Sequence, residues 1–275
     1  PAEGARLAVA EAARNLACAG AVPIGTTDCL NFGNPERPEV MWQFEQSIDG
    51  IADACRALEA PIVGGNVSFY NETEGKGIHP TPTIAMVGFL VDVKGAITQW
   101  FKREGDLIFL LGEPGGSLAG SEYLALLHGV EAGRPHPVDL ARERALHDLV
   151  RSARDSGLVA SAHDCSEGGL ALALLECCIT CPERAVGAEI KLEGKGRLDE
   201  ILFGEAPTRV IVSAGPESRA RLEQMAHSAS VPVRLLGKVG GARLSIAAAG
   251  ETVIDLDAAP ARSAWRGALA KHLRG

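Results

Sequence analysis

Apolar and polar positions along the chain follow two alternating rhythms. Residues 4–19 are rich in alanine, the strongest helix former, and Gly20 supplies a stop. Residues 42–58 carry Phe44, Ile48, Ile51, Cys55 and Leu58 at three- and four-residue steps, which predicts an amphipathic helix laid on a sheet. The short apolar runs 21–24 and 60–63 read as buried strands, and 83–93 reads as a third. The first run leads into Thr27-Asp28-Cys29-Leu30-Asn31-Phe32-Gly33-Asn34-Pro35-Glu36. Gly, Asn and Pro there are turn formers, so Asp28 is expected at the carboxyl end of a strand, where α/β proteins bind ligands. The second run leads into Gly64-Gly65-Asn66-Val67-Ser68, read as a Gly-Gly turn that presents amide and hydroxyl groups.

Strand–helix patterning restarts at Gly105, which puts a domain boundary between Val93 and Glu104. A buried strand at 105–112 precedes a small-residue loop at 115–121 and a helix at 139–156. A strand at 158–162 then runs into His163-Asp164-Cys165-Ser166-Glu167-Gly168-Gly169 and a helix that ends near Cys178. Strands at 208–214, 231–239 and within 244–256, with helices at 217–228 and 259–273, complete the pattern. The whole reads as an α/β chain of two domains.

Composition narrows the function classes. A 275-residue chain that is 46% hydrophobic can bury a real core. Its net charge of -8 argues against a nucleic-acid polymer as partner and against anchoring on acidic lipid. No apolar run is long enough to span a membrane, and no signal peptide is recognisable. The seven cysteines lie in apolar segments and read as reduced, buried thiols of a cytoplasmic protein. Cys178 and Cys181 form a lone CxxC, a weak zinc signal. A first residue that is proline rather than methionine is expected of a piece of something longer.

The polar residues at the strand ends suit a polyanion. Asp28, Asn66 and Asp164 are oxygen donors of the kind Mg²⁺ prefers, and Gly64-Gly65 lets backbone N–H groups approach a phosphate. Ser68 adds a short hydroxyl donor. Glu11 and Asn15 stand four apart on one helix face, as a solvated pair or as ligands of a hard cation; spacing does not choose. His163 beside Asp164 is either an acid/base or a structural histidine at a strand end. Cys29 is no nucleophile candidate, because the carboxylate next to it raises a thiol pKa. There is no Walker-type loop.

Three stretches go further: Asp28-Cys29-Leu30-Asn31-Phe32-Gly33-Asn34-Pro35-Glu36, Gly64-Gly65-Asn66-Val67-Ser68-Phe69-Tyr70-Asn71-Glu72, and His163-Asp164-Cys165-Ser166-Glu167-Gly168-Gly169. Together with Glu11 and Asn15 they resemble the phosphoribosylformylglycinamidine synthase (PurL) family over nearly the whole chain. The resemblance implies a PurM-like fold: a truncated ferredoxin-like half-barrel domain at 1–96, followed by an α/β domain at 97–275. The family is a tandem duplication, and this chain resembles its second half. The implied activity is ATP-driven amidation of formylglycinamide ribonucleotide with glutamine-derived ammonia. Asp28 and Gly65 would then bind ATP, Asn66 Mg²⁺, and Ser68 the ribonucleotide. Glu11, Asn15, Asp164 and Ser166 match an auxiliary nucleotide and metal site of long-form members. No catalytic residue of the family falls in this half; its catalytic histidine belongs to the first. Implied partners are that first half, a PurQ-like glutaminase subunit and a small PurS-like subunit. Glu205-Ala206-Pro207 departs from a Glu-Ser-Gln that holds substrate in the first half. The other readings are a non-catalytic nucleotide-binding or scaffold module, and another ATP-dependent enzyme of the same superfamily.

Overall fold

The computed structural model describes residues 1–193 and 196–274. Its first part comprises α1 (Ala2–Ala19), β1 (Val22–Asn31), α2 (Pro38–Ala57), β2 (Ile62–Ser68), the short pair β3 (Glu72–Thr73) and β4 (Lys76–Gly77), and β5 (Thr81–Phe89). The strands are ordered β2-β1-β5, with β1 parallel to β2 and antiparallel to β5. Helix α1 stops at Gly20, whose left-handed φ of 88° turns its N–H back to the helix carbonyls. The alanine face of α1 packs with Ile51 and Ala54 of α2 on Leu30 and Phe32, and Phe44 meets Phe32 edge-on at 5.2 Å.

The second part contains β6 (Leu107–Leu111), α3 (Glu122–His128), α4 (Leu140–Asp155), β7 (Ser161–Asp164), α5 (Gly169–Ile179), β8 (Ala188–Leu192), α6 (Leu198–Phe203), β9 (Val210–Ala214), α7 (Arg219–Ser228), β10 (Val233–Val239), β11 (Arg243–Ala248), β12 (Glu251–Asp257) and α8 (Ala258–Arg274). A seven-stranded sheet runs β12-β11-β8-β10-β6-β9-β7, antiparallel except between β8 and β11. Both faces of its centre are buried. Ile108 and Leu110 of β6 enter the core that holds α5, while Phe109 and Leu111 enter the core that holds α4 and α7. No helix among the described residues is long and apolar enough to cross a membrane.

The mixed helix–sheet class holds, and several local expectations change. The runs 21–24 and 60–63 are strands, but Val22, Ile24, Ile62 and Val63 are exposed, Val63 at 74%. Helices cover one face of the small sheet, and nothing among the described residues covers the other. Asp28 lies inside β1 rather than at its end, and Gly64-Gly65 lies inside β2 rather than in a turn. The third strand stops at Phe89, so Val91 and Val93 stand exposed beyond it. The short elements α3, α6 and β8 were not anticipated.

Helix α1 serves both parts. Its Cys18 packs in the core of Phe109, Leu111 and Val212. Its Arg14, 3% exposed, places Nε 2.7 Å from Oε1 of the fully buried Glu143 on α4. Glu143 also accepts from Thr208 Oγ1 at 2.5 Å and lies 2.8 Å from His147 Nε2. Burial alone would raise the Glu143 carboxyl; the charges of Arg14 and His147 and their hydrogen bonds outweigh it and bring the pKa down to about 2. Thr208, a β-branched residue, is held at a φ of 59°, a strained conformation anchored by that bond to Glu143.

Breaking this pair strands a buried charge. Glu143→Ala should therefore lower unfolding free energy in urea by about 3–5 kcal/mol, while Arg14→Met with Glu143→Leu should cost much less than the two single changes summed. Because the folded pKa of Glu143 is depressed, its contribution is complete above the ordinary value of 4.5 and is lost as pH falls through about 2. Urea titrations between those limits should show a stability loss that the double variant lacks.

Candidate functional site

The Asp28 segment and the Gly65 segment are neighbours because β1 and β2 pair in parallel, with Asp28 opposite Gly65, Cys29 opposite Asn66 and Asn31 opposite Ser68. A Cβ at Gly65 would stand 2.2 Å from Asp28 Oδ1, so only glycine leaves room for the carboxylate. Burial raises the Asp28 carboxyl. Strand alternation gives Asp28 the face of buried Leu30, toward the helices. It gives Cys29, Asn31, Asn66 and Ser68 the opposite, open face, together with Thr83, which pairs with Cys29. The predicted residues are thus brought together in sequence register but divided between two faces of one sheet.

The open face has two ends. Val22, Val87 and Phe89 make one end apolar, with Val87 62% and Phe89 57% exposed. The other end is polar and partly fixed. Asn71 Nδ2 donates to the Ser68 carbonyl at 2.9 Å and to Ser68 Oγ at 3.3 Å, and Asn31 Nδ2 reaches Cys29 Sγ at 3.5 Å. Asn66 Nδ2 lies 3.9 Å from the same sulfur, and its side chain is otherwise open to a ligand.

A second cluster forms where β7 meets α1. Ser166 Oγ donates to Asp164 Oδ2 at 2.5 Å and reaches Glu11 Oε1 at 3.4 Å. The Asn15 amide, with its nitrogen turned to Asp164, donates at 2.9 Å. All four residues that the resemblance implies for an auxiliary site therefore converge, although 155 positions separate Glu11 from Ser166 in the chain. Arg14 Nη1 lies 3.9 Å from Asp164 Oδ2. Burial, then Glu167 and Asp164, raise the Glu11 carboxyl. Burial would also raise Asp164, but hydrogen bonds from His163 and Ser166 and the Arg14 charge hold it low. A cavity of about 250 Å³ opens beside the cluster, lined by Leu7, Glu11, Arg14, Ser166 and Glu167 among others. Among the described residues, no group of three or more His, Cys, Asp or Glu side chains could hold a metal unaided.

His163 is structural in its contacts. Nε2 lies 2.9 Å from Glu176 Oε2 and Nδ1 3.4 Å from Asp164 Oδ1. Burial would lower its pKa, and these two carboxylates push it up to about 9, so it stands as a charged clamp. Cys165 and Cys178 are buried thiols pushed up to about 11 and about 12, which makes them inert. Glu205 is occupied as well: Oε1 accepts the N–H groups of Glu122 and Gly168, each at 3.0 Å, at the starts of α3 and α5. Arg14, Glu143, Thr208 and Glu176 escaped the sequence reading. The available signals were an arginine inside an alanine-rich helix and Glu143/His147 at helical i,i+4 spacing.

Residues 1–90 match the family described as AIR synthase related protein, N-terminal domain, and residues 103–249 match its C-terminal domain. The chain is 51% identical over 278 aligned positions to the phosphoribosylformylglycinamidine synthase subunit PurL of Anaeromyxobacter sp. (strain Fw109-5), covering 98% of this chain. It spans only 36% of that relative's length. T. maritima PurL complexed with FGAR superposes with a TM-score of 0.76 at 19% identity, over 95% of this chain and 43% of that one. The same protein complexed with ATP gives 0.73 at 20% identity, over 95% and 41%. These likenesses show the fold. The chain belongs to the AIR synthase related family and carries both its N-terminal and its C-terminal domain.

Proposed function

We propose that this chain is the second half of an ATP-dependent synthetase of purine biosynthesis. The reaction converts formylglycinamide ribonucleotide and glutamine-derived ammonia to formylglycinamidine ribonucleotide, with release of ADP and phosphate. The observation that carries the reading is the open sheet face, apolar at Val22, Val87 and Phe89 and polar at Asn31, Asn66 and Ser68. A matching half seated on the apolar end would enclose the polar end, which makes the active site composite. The similarity to a PurL subunit about three times longer supports the same view. The division into units 1–96 and 97–275 is part of the proposal, supported by family matches at 1–90 and 103–249.

In this reading Asn66 is a Mg²⁺ ligand and Ser68 contacts the ribonucleotide on the open face, while Asp28, on the helix side, and the Gly65 backbone beside it contact ATP at the β2 edge of the sheet. Asn66 contributes one amide oxygen, which fits Mg²⁺ that takes its remaining ligands from phosphates, waters and the other half. When bound, Mg²⁺ would neutralise charge on the transferring phosphoryl group. The glycinamide carbonyl oxygen would accept the γ-phosphoryl group as ADP departs, ammonia would add to that carbon, and phosphate would leave with that oxygen while the formyl group stays unchanged. The residues of this chain hold and orient; the catalytic histidine and the glutaminase and small subunits lie outside it. The auxiliary cluster fits a hard cation by its donor set. If the Asn15 oxygen rather than its nitrogen faces Asp164, three residues present oxygens to one point, an arrangement a cation relieves.

The 275-residue chain alone should show no ammonia-dependent product formation by chromatography. In the complete synthetase, Asp28→Ala, Asn66→Ala and Gly65→Ala should each lower kcat/KM on the order of a hundredfold, with Cys178→Ala near the parent. Full activity of the isolated chain would overturn the composite site, and full activity of the Asn66→Ala synthetase would favour the scaffold reading instead.

For the auxiliary cluster, Mg-ADP at about 100 times its Kd should raise stability by about 2.7 kcal/mol in a thermal melt. The Glu11→Gln/Asp164→Asn variant should show no such gain. Equal shifts in both proteins would leave these residues as structural polar groups.

A further inference from the structure

Helix α8 runs off the edge of the protein. Its first turns are seated: Ala258 is buried, Ala261 packs on the core, Arg262 Nη2 donates to the Cys181 carbonyl at 2.9 Å, and Arg266 Nη2 donates to the Pro182 carbonyl at 3.1 Å. From Ser263 to Leu273 every side chain is exposed. The apolar face nevertheless continues along the same side as Trp265, Leu269 and Leu273, which are 49%, 70% and 76% exposed. Charge is one-sided too. Between Ala258 and Leu273 there are Arg262, Arg266 and Lys271 and no acidic residue, in a chain of net charge -8. A lone helix of this length is marginal in water, so a stripe of this kind is stabilised by whatever it packs on.

A complementary surface exists on α2. Pro38, Met41, Trp42, Phe44 and Ile48 line a shallow groove of about 580 Å³, flanked by Glu45 and Asp49. Met41, Trp42 and Ile48 are 41%, 54% and 38% exposed on a helix whose opposite face is in the core. The groove is apolar and acidic, whereas the α8 stripe is apolar and basic. Their lengths agree, about 10 Å from Met41 to Ile48 and about 12 Å from Trp265 to Leu273 at 1.5 Å per residue. Neither surface belongs to the open sheet face. A membrane is the poorer occupant for α8, because an anionic bilayer would repel the rest of an acidic chain.

We propose that α8 of one copy docks in the α2 groove of a second copy. The contact joins two different surfaces. Reciprocal exchange closes it as a dimer, and one-way exchange extends it as a ring or chain.

Charge exchange tests this, with association followed by sedimentation velocity. The parent should associate about tenfold more weakly when salt rises from about 0.05 M to about 0.5 M. Glu45→Lys/Asp49→Lys carries a basic groove and a basic helix. Arg266→Glu/Lys271→Glu carries an acidic groove and an acidic helix. Each variant alone should associate at least about tenfold more weakly than the parent, and an equimolar mixture should recover association, since each groove then meets a helix of opposite sign. Association through the open sheet face is blind to these exchanges, and circular dichroism checks that both variants are folded. Parent-like association of either variant, or no recovery on mixing, would overturn the proposal. Sedimentation of the parent with phosphatidylserine vesicles in place of self-association would likewise overturn it and assign α8 to lipid.

Discussion

The structure turns on Arg14. A guanidinium this deeply buried is tolerated only where its charge and its donors are met, and Glu143 meets them from another helix and the other sheet. Once that pair forms, α1 cannot belong to one core alone. It lies against the small sheet with its alanine face, lends Cys18 to the core of the large sheet, and presents Glu11 and Asn15 to the loop after β7. The Glu143 carboxylate also holds Thr208 in its strained conformation at the head of β9. The placement of α1 between the two cores and the oxygen cluster it joins thus meet at one buried ion pair.

The small sheet is left in an unusual condition. Helices bury one face, and the other carries a row of exposed valines and a phenylalanine that ends in amides and hydroxyls. An exposed apolar patch of this kind marks an interaction surface. In the proposed function the two needs coincide: the partner that buries Val87 and Phe89 also walls in Asn66 and Ser68. A binding site shared between two halves explains why the motif residues look sparse when this chain is taken alone.

Much of this was legible in the sequence. Alanine content and Gly20 marked α1, and three-and-four spacing marked α2, because helix formation depends mostly on local propensity and period. Glu11, Asn15, Asp164 and Ser166, named from the resemblance, lie within hydrogen-bonding reach of one another. What failed depends on partners rather than on local pattern. Val22, Ile24, Ile62 and Val63 are apolar yet exposed, and the periodicity that marks a strand does not say whether its apolar side is covered from within the chain. Gly64-Gly65 reads as a turn from composition, whereas its actual reason is the Asp28 carboxylate across the strand pair. The roles of Arg14 and Glu143 were hidden for a similar reason: two ordinary helix residues 129 positions apart become a buried pair only through the topology.

Hydrogen–deuterium exchange of this chain with and without the remainder of the proposed synthetase, produced separately, tests the composite site most directly. β2 and β5, the two edges of the small sheet, should gain strong protection in the presence of the remainder, together with the Asn31 and Ser68 segments. The amides of α4 and β9, already enclosed, should not change. Unchanged exchange along β2 and β5, with protection appearing elsewhere, would contradict a composite site built on the open face.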